Sequence, residues 1–356
     1  MANQVLYGFT NLKDHFSQKI EDVGVAVVND AIDETVAEHN RQMDALVGLF
    51  ADPTTAYKVR YRTPAAARLQ PLDENGRARP IKALGYYDIA FPLQDGGTAW
   101  GQTYKASKKM TVQDANNTLA SILTADRRWM RDHIMAALYT NASWTFADEE
   151  HGDLTIKGLA NADTDTYLIQ AGADAGATDS HYLAQANAIS STDDPFQTIY
   201  DELVEHPENS GEIVCLIPSG LKSAIIGLPG FYPENDPNLR VGSASTVLAG
   251  SLGMSLPGMV LGYHEAKVWI VEWKSLTANY MIAVATGGPR ALAMRQEPEA
   301  SLQGFNRVAS RDNHPFYESQ YLRSAGFGAQ NRVGALVYRV GNGSYAIPTG
   351  YTSPMA

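Results

Sequence analysis

The stretch Thr111–Thr140, TVQDANNTLASILTADRRWMRDHIMAALYT, contains neither glycine nor proline. Thr111 and Asp114 open it with the Thr-x-x-Asp spacing in which a hydroxyl and a carboxylate each satisfy a free amide of a helix start. Behind them Val112, Ala115, Leu119, Ile122, Trp129, His133 and Ala137 recur on one side at helical spacing. The pattern predicts one helix over 111–140. At 1.5 Å per residue it spans about 45 Å, well beyond an ordinary globular helix. A helix of that length serves as a strut.

Upstream of the strut the chain changes period. Tyr57, Val59 and Tyr61 alternate with Lys58, Arg60 and Arg62, and Tyr87, Ile89, Phe91 and Leu93 alternate with Asp88, Ala90 and Pro92. Between them lies Asp73-Glu74-Asn75-Gly76, whose Asn-Gly supplies the positive φ of a tight turn. Two period-two runs about such a turn predict a long hairpin. Pro64, Pro71, Pro80 and Pro92 fall within it, and proline cannot donate to a ladder, so the ribbon is expected to project rather than sit inside a sheet. From Lys58 to Lys82 it carries seven Lys or Arg against Asp73 and Glu74, a net of +5 in a chain of net −11. Gly96-Gly97 is read as a break between ribbon and strut.

Further upstream, residues to about Ala51 read as helical, with Thr10 placed to cap a short helix and a longer pattern through Val23, Val27, Ala31, Val36, Met43, Leu46 and Leu49. Nine Asp or Glu in 14–52 stand against Lys13, Lys19 and Arg41, a net of −6.

Downstream, 141–193 is polar and predicts a short strand pair with an extended loop. From Asp194 the pattern is α/β: a helix at about Pro195–Glu205, a buried strand at Ile213–Ile217, a helix between Ser219 and Pro229, and strands at Val268–Trp273 and Tyr280–Thr286. Two strands close the chain, Phe316–Phe327 and Val333–Val340.

At 356 residues and 44% hydrophobic the chain can fill one large or two moderate cores. Its acidity argues against a dedicated nucleic-acid binder. Cys215, the one cysteine, excludes an internal disulfide and sits in an apolar run as a small core residue. Met1–Thr10 has no signal-peptide pattern. The uncharged run Val241–His264 holds five glycines and Pro257, so it predicts a small-residue loop and no membrane span.

Catalytic signatures are missing. Neither G-x-S-x-G nor H-E-x-x-H occurs, Met259 stands where a phosphate-loop lysine belongs after Gly253 and Gly258, and no helix can follow Gly341-Asn342-Gly343. Asn161, Asp163 and Asp165 resemble the start of a calcium loop, but Thr166 and Gly172 occupy the positions of its glycine and closing glutamate. The acidic run Asp148–Asp153 reads as a solvated loop, and the eight histidines show no pair at metal-ligand spacing. Arg127, Arg128 and Arg131 are candidates for weak phosphate contact or for local pairing with Asp126 and Asp132.

Acidic helical arm, basic hairpin, strut, α/β domain and closing strands occur in that order. This order resembles the major capsid protein of tailed bacteriophages, the Hong Kong 97 type fold. Its most specific local matches are the hairpin Tyr57–Leu93, the segment Ala125-Asp126-Arg127-Arg128-Trp129 in the strut, and Gly326-Phe327-Gly328 with Val333-Gly334-Ala335-Leu336-Val337-Tyr338 near the end. The resemblance implies an α+β fold with an N-arm at 1–51, an E-loop at 52–105, a peripheral (P) domain at 106–193 with its spine helix at 111–140, an axial (A) domain at 194–289, and returning P-domain strands at 290–356. It implies no catalysis, no cofactor and no metal. Its expected partners are copies of itself in pentamers and hexamers, a separate scaffolding protein and a portal during assembly, a decoration protein in some members, and packaged double-stranded DNA contacted weakly. The expected location is the virion capsid, assembled in the host cytoplasm. Inter-subunit contacts are expected from Lys58, Arg60, Arg62, Arg77, Arg79 and Lys82 on the E-loop, from Asp30, Asp33, Glu34 and Glu38 on the N-arm, and from Ser245 and Ala249 in the axial loop. Two rivals stand beside this reading: an encapsulin-type nanocompartment shell on the same fold, and an α/β enzyme built on 195–289.

Overall fold

The computed structural model describes residues 5–63, 71–78, 85–169, 178–234, 256–313 and 316–355, with side chains excepted at 62, 63, 310–313, 316 and 317. The chain divides into two compact units. One comprises 1–47, 93–133 and 295–326, the other 48–92, 134–294 and 327–356.

In the first unit the capping signature does what its spacing predicts. The Thr111 amide donates to Asp114 Oδ2 at 3.1 Å and the Asp114 amide donates to Thr111 Oγ1 at 3.2 Å. Helix α4 (Val112–Tyr139) follows, 28 residues without interruption and about 42 Å long. The N-terminal region is helical too, but in three pieces: a 3-10 stretch over Tyr7–His15, α1 (Ile20–Val23) and α2 (Val25–Val47). Gly24, at φ +109°, parts α1 from α2 inside what the apolar pattern presents as one run. Thr10 caps nothing. It lies within the 3-10 stretch and its hydroxyl turns back to the Leu6 carbonyl at 3.5 Å. Helix α2 lays Val28, Ala31, Ile32 and Val36 into a core with Val112, Ala115, Leu119, Ile122, Phe305 and Tyr321. Burying each such large apolar side chain contributes about 1.5–3 kcal/mol.

Three antiparallel strands complete this unit: β4 (Gln94–Thr103), β14 (Phe305–Asn313) and, between them, β15 (Phe316–Ala329). Gly96-Gly97 is no break but lies inside β4, opposite Arg323 and Leu322. A Cβ on Gly96 would come within 2.9 Å of the Trp129 ring, so the glycine lets the strand pass under the indole. Thr103 ends the strand and its hydroxyl caps the short α3 (Tyr104–Ser107).

In the second unit the expected hairpin forms from β2 (Lys58–Thr63) and β3 (Gly85–Ala90), with Val59 opposite Ile89 and Tyr61 opposite Tyr87. Gly76 takes φ +73°, and the Asp73 carboxylate accepts from the amides of Asn75 and Arg77. At its base the ribbon is not free: Ile89 and Phe91 are buried against Ala293. Strand β1 (Ala51–Thr54) pairs with β13 (Leu292–Gln296), and β5 (Trp144–Asp148) and β6 (Gly152–Ile156) form the strand pair expected after the strut.

The body of this unit is a seven-stranded mixed sheet in the order β7-β16-β12-β8-β11-β10-β9. Its members are β7 (Tyr182–Gln185), β8 (Ser210–Ile217), β9 (Phe231–Pro233), β10 (Met259–His264), β11 (Val268–Glu272), β12 (Tyr280–Gly287) and β16 (Ala335–Val340). β8 with β11 and β16 with β7 are parallel, the other pairs antiparallel. The central strands read as continuous apolar runs because both faces are covered. On one face α5 (Phe196–Val204) packs Phe196, Ile199 and Leu203 with Ile213, Cys215, Ile217, Ile270, Met281 and Leu336, and α6 (Lys222–Ile226) adds Ile225. Burial pushes the Cys215 thiol up, which leaves it an inert core residue. Among the described residues no helix is long and apolar enough to cross a membrane.

Candidate assembly surfaces

The ribbon's charge is less one-sided than a count from Lys58 to Lys82 suggests. Asp88 lies directly opposite Arg60 in the ladder. It accepts from Arg60 at 2.6 and 3.0 Å and from Lys58 at 2.8 Å. The Arg60 guanidinium, then the Lys58 ammonium, hold the Asp88 carboxyl well below the usual carboxylate range. Arg60 also stacks over the exposed Tyr86 ring, 4.3 Å from its centroid. Counting Asp88, the ribbon carries +4. Arg77, just beyond the turn, is exposed. The side chain of Arg62, and Arg79 and Lys82 altogether, lie outside the described residues, as do Ser245 and Ala249.

The acidic arm is anchored on one face and open on the other. Period 3.6 places Asp30, Asp33 and Glu34 away from the buried Val28–Ala31–Ile32–Thr35 side, and all three are exposed. Asp33 is paired within the unit to Arg307 at 2.8 Å, and Glu38 to Arg41 at 2.7 Å. Lys108 pairs with Glu21. These contacts neutralise part of the −6, and leave Asp30 and Glu34 as the carboxylates of the expected set without an ion pair among the described residues.

Sequence patterning misses what locks the arm down. Arg323 on β15 donates to both carboxylate oxygens of Asp126 on α4, at 2.6 and 2.9 Å. His39 on α2 meets the same carboxylate at 2.7 Å, and all three side chains are buried. Burial alone would raise the Asp126 carboxyl, but hydrogen bonds from His39 and Arg323 outweigh it and hold it low. Asn40 extends the network, accepting from Arg323 at 3.1 Å and bracketing the backbone of Phe305. Asp126 therefore does not pair with its helix neighbours, whereas Arg131 does pair with Asp132, at 2.7 Å. Arg127 and Arg128 remain exposed.

The calcium-like stretch has a different occupant. Arg332, 0% exposed, reaches Asp165 at 2.5 Å, Asp163 at 2.9 Å and Asn161 at 3.2 Å, and also donates to the carbonyls of Gly158 and Leu159. A guanidinium supplies the positive charge those carboxylates need. The Asp148–Asp153 run is the turn between β5 and β6, with Asp148 accepting from the amides of Glu150 and His151.

A groove of about 430 Å³ in the first unit has Val25, Val28, Trp100 and Met110 on its walls and Glu21, Lys108, Arg307 and Glu318 on its lining.

No protein-family model matches the sequence, and no curated protein matches it. Among solved structures the chain is similar to one of Mycobacterium phage Patience, at 19% identity and TM-score 0.69, over 93% of this chain and 92% of that one. It is more distantly similar to the mature capsid of bacteriophage PhiM1, at 8% identity and TM-score 0.49 over 82% and 84%. A native GTA particle capsid follows, at 10% identity and TM-score 0.46 over 85% and 90%. The likeness to the Patience structure is the one that carries the fold. The expectation drawn from the order of arm, hairpin, strut, α/β domain and closing strands is borne out: the chain has the α+β fold of tailed-phage capsid proteins, the Hong Kong 97 type.

Proposed function

We propose that this chain is a non-catalytic shell subunit that assembles with copies of itself, as pentamers and hexamers of an icosahedral phage capsid around double-stranded DNA. The observation that supports this reading best is a backbone likeness to a phage protein over 93% of the chain. In this reading residues 1–51 act as the N-arm, 52–105 as the E-loop, 106–193 with 290–356 as the P-domain, and 194–289 as the A-domain. A separate scaffolding protein and a portal take part in assembly in the host cytoplasm, and a decoration protein is compatible with it. DNA is contacted weakly and without sequence preference, with Arg127 and Arg128 as the exposed candidates.

Opposite charge on the two extensions steers docking between subunits. The basic set is Lys58, Arg60, Arg62, Arg77, Arg79 and Lys82, and the acidic set is Asp30, Asp33, Glu34 and Glu38. Because Lys58 and Arg60 already share Asp88, and Asp33 and Glu38 have partners of their own, Arg77 with Asp30 and Glu34 leads the contact. Such exposed pairs set register and encounter rate more than affinity, each being worth at most about 1 kcal/mol. Ser245 and Ala249 belong to an uncharged axial loop, where symmetry would multiply any like charge.

Negative-stain microscopy of the purified chain tests the reading. Shells, or rings of five and six subunits, are the expected result, and a strictly monomeric chain under all assembly conditions overturns it. Arg60→Glu with Arg62→Glu and Arg77→Glu is expected to block or slow assembly, and added salt to weaken that of the wild type. Normal assembly rate and salt response in the reversed protein would overturn the docking, leaving the shell reading intact. Ser245→Asp is expected to impair rings while the subunit still folds.

A further inference from the structure

Two histidines 25 residues apart in sequence meet inside the second unit. His181 precedes β7, His206 follows α5, and their side chains are 0% and 1% exposed. Asp179 Oδ2 lies 2.7 Å from His181 Nε2 and 3.0 Å from His206 Nε2. The two Nε2 atoms are 3.2 Å apart. The remaining nitrogen of each ring is already committed, His181 Nδ1 to the Ala335 carbonyl at 2.8 Å and His206 Nδ1 to the Leu168 carbonyl at 3.0 Å.

A carbonyl oxygen only accepts, so each Nδ1 carries a proton. If both rings are neutral, both Nε2 atoms are lone pairs, and they face one another and a carboxylate oxygen with no donor among the three. Protonating one ring gives Asp179 a donor but leaves the other ring's lone pair 2.7 or 3.0 Å from an anionic oxygen. Protonating both puts two cationic rings nose to nose in a fully buried place, which desolvation opposes. A cation held by all three atoms removes every one of these conflicts at once.

We propose that Asp179, His181 and His206 form a binding site for a divalent first-row transition ion, Zn²⁺ by preference. Imidazole and carboxylate are the ligand types such ions take. With tetrahedral bonds of about 2.0–2.1 Å, ligand atoms on one ion stand about 3.3–3.4 Å apart. The observed 2.7, 3.0 and 3.2 Å separations open by about 0.1 to 0.7 Å to match, which side-chain rotation on ion binding supplies. Backbone carbonyls on the far nitrogens are the contacts that orient metal-ligating histidines. Glu205, with Oε1 3.6 Å from His206 Nε2, is the further group in reach, and Glu202 adds a third carboxylate to the neighbourhood. The ion would tie the ends of β7, α5 and β16 to the loop at Leu168. None of this depends on assembly, so the site stands or falls separately from the shell reading.

The test uses the full, untagged chain, unassembled and stripped with a chelator. Titration with Zn²⁺ in a calorimeter is expected to give one ion per chain and a higher Tm, whereas Mg²⁺ at the same concentration changes neither. Co²⁺ in place of Zn²⁺ is expected to give visible absorption from a nitrogen- and oxygen-ligated ion. His206→Gln and Asp179→Asn are each expected to abolish stoichiometric binding and the Co²⁺ spectrum. Should a variant fail to fold, histidine ¹⁵N resonances of the wild-type chain supply the readout, with two Nε2 signals shifting on Zn²⁺ addition. Absence of a stoichiometric ion, undiminished binding in His206→Gln, or an equal response to Mg²⁺ overturns the proposal.

Discussion

Asp126 and Asp88 each sit between two basic side chains at nearly the same distances, yet one is 2% exposed and the other 25%. Asp126 joins helix α2, helix α4 and strand β15 through partners 87 and 197 residues away. Asp88 joins two neighbouring strands of one ribbon. Equal geometry does not mean equal consequence. In the buried triad each charge has lost its water, so the attraction is set against a large desolvation penalty and removal of one member strands the others. On the ribbon, water replaces whatever is removed, and the pair is worth little to folding. The buried triad therefore selects how the arm packs, while the exposed one leaves basic groups at the surface where another chain can use them.

The largest effect expected from this contrast is in Asp126→Asn, which leaves Arg323 buried without its counter-charge. Urea unfolding of the unassembled chain should show a loss of about 3–5 kcal/mol. Asp126→Leu combined with Arg323→Met should recover most of it, because apolar replacement removes the stranded charge as well. If Asp126→Asn proves no worse than Asp88→Asn, the distinction between buried and exposed triads fails.

The same triad makes a pH signature. The Asp126 carboxyl is held below its ordinary value in the folded chain despite burial, through His39 and Arg323. Its contribution is therefore present above the unfolded value of about 3.9 and is lost as pH falls through the lower folded value. Stability of the wild type should drop with acid below about pH 4, and Asp126→Asn should show a shallower drop over that window.

A smaller loss is expected from Gly96→Ala, which presses a methyl against the Trp129 ring inside the first unit. Overpacking of this kind costs about 1–3 kcal/mol, read as a lowered Tm. Trp129→Leu in the same chain should relieve it if the indole is the obstacle. Smallest is Asp88→Asn. Unfolding of the free subunit should stay within about 0.5 kcal/mol of wild type. Releasing Lys58 and Arg60 should instead steepen the salt dependence of assembly, the one place where the exposed triad is expected to matter more than the buried one.

What was legible in the sequence was legible at short range. The Thr111–Asp114 cap, the period along α4, the Asn-Gly turn of the ribbon and the apolar runs of β8, β11, β12 and β16 all depend on residues within a few positions of each other, and each element lies within a few residues of where spacing places it. Their order along the chain sufficed to indicate the capsid fold. Glycine was the first point of ambiguity. Gly24 broke a helix that the apolar pattern carries through, and Gly96-Gly97 continued a strand that composition breaks. The reason is that a glycine is selected either for its backbone freedom or for its missing side chain, and only the neighbouring ring of Trp129 distinguishes the two.

Charge partners were beyond local reading altogether. Asp163 and Asp165 have the spacing of a cation loop, but the cation they meet is Arg332, 167 residues beyond Asp165. Asp126 has arginines on its own helix, yet it takes Arg323. His181 and His206 show no ligand spacing and nonetheless share Asp179. The sequence by itself determined the elements, their order and the polarity of their faces, because capping, periodicity and turn chemistry act between near neighbours. Only the tertiary structure decided which buried charge answers which, because a charge removed from water is stabilised by whatever the packed chain brings within hydrogen-bonding distance, however far away it lies in sequence.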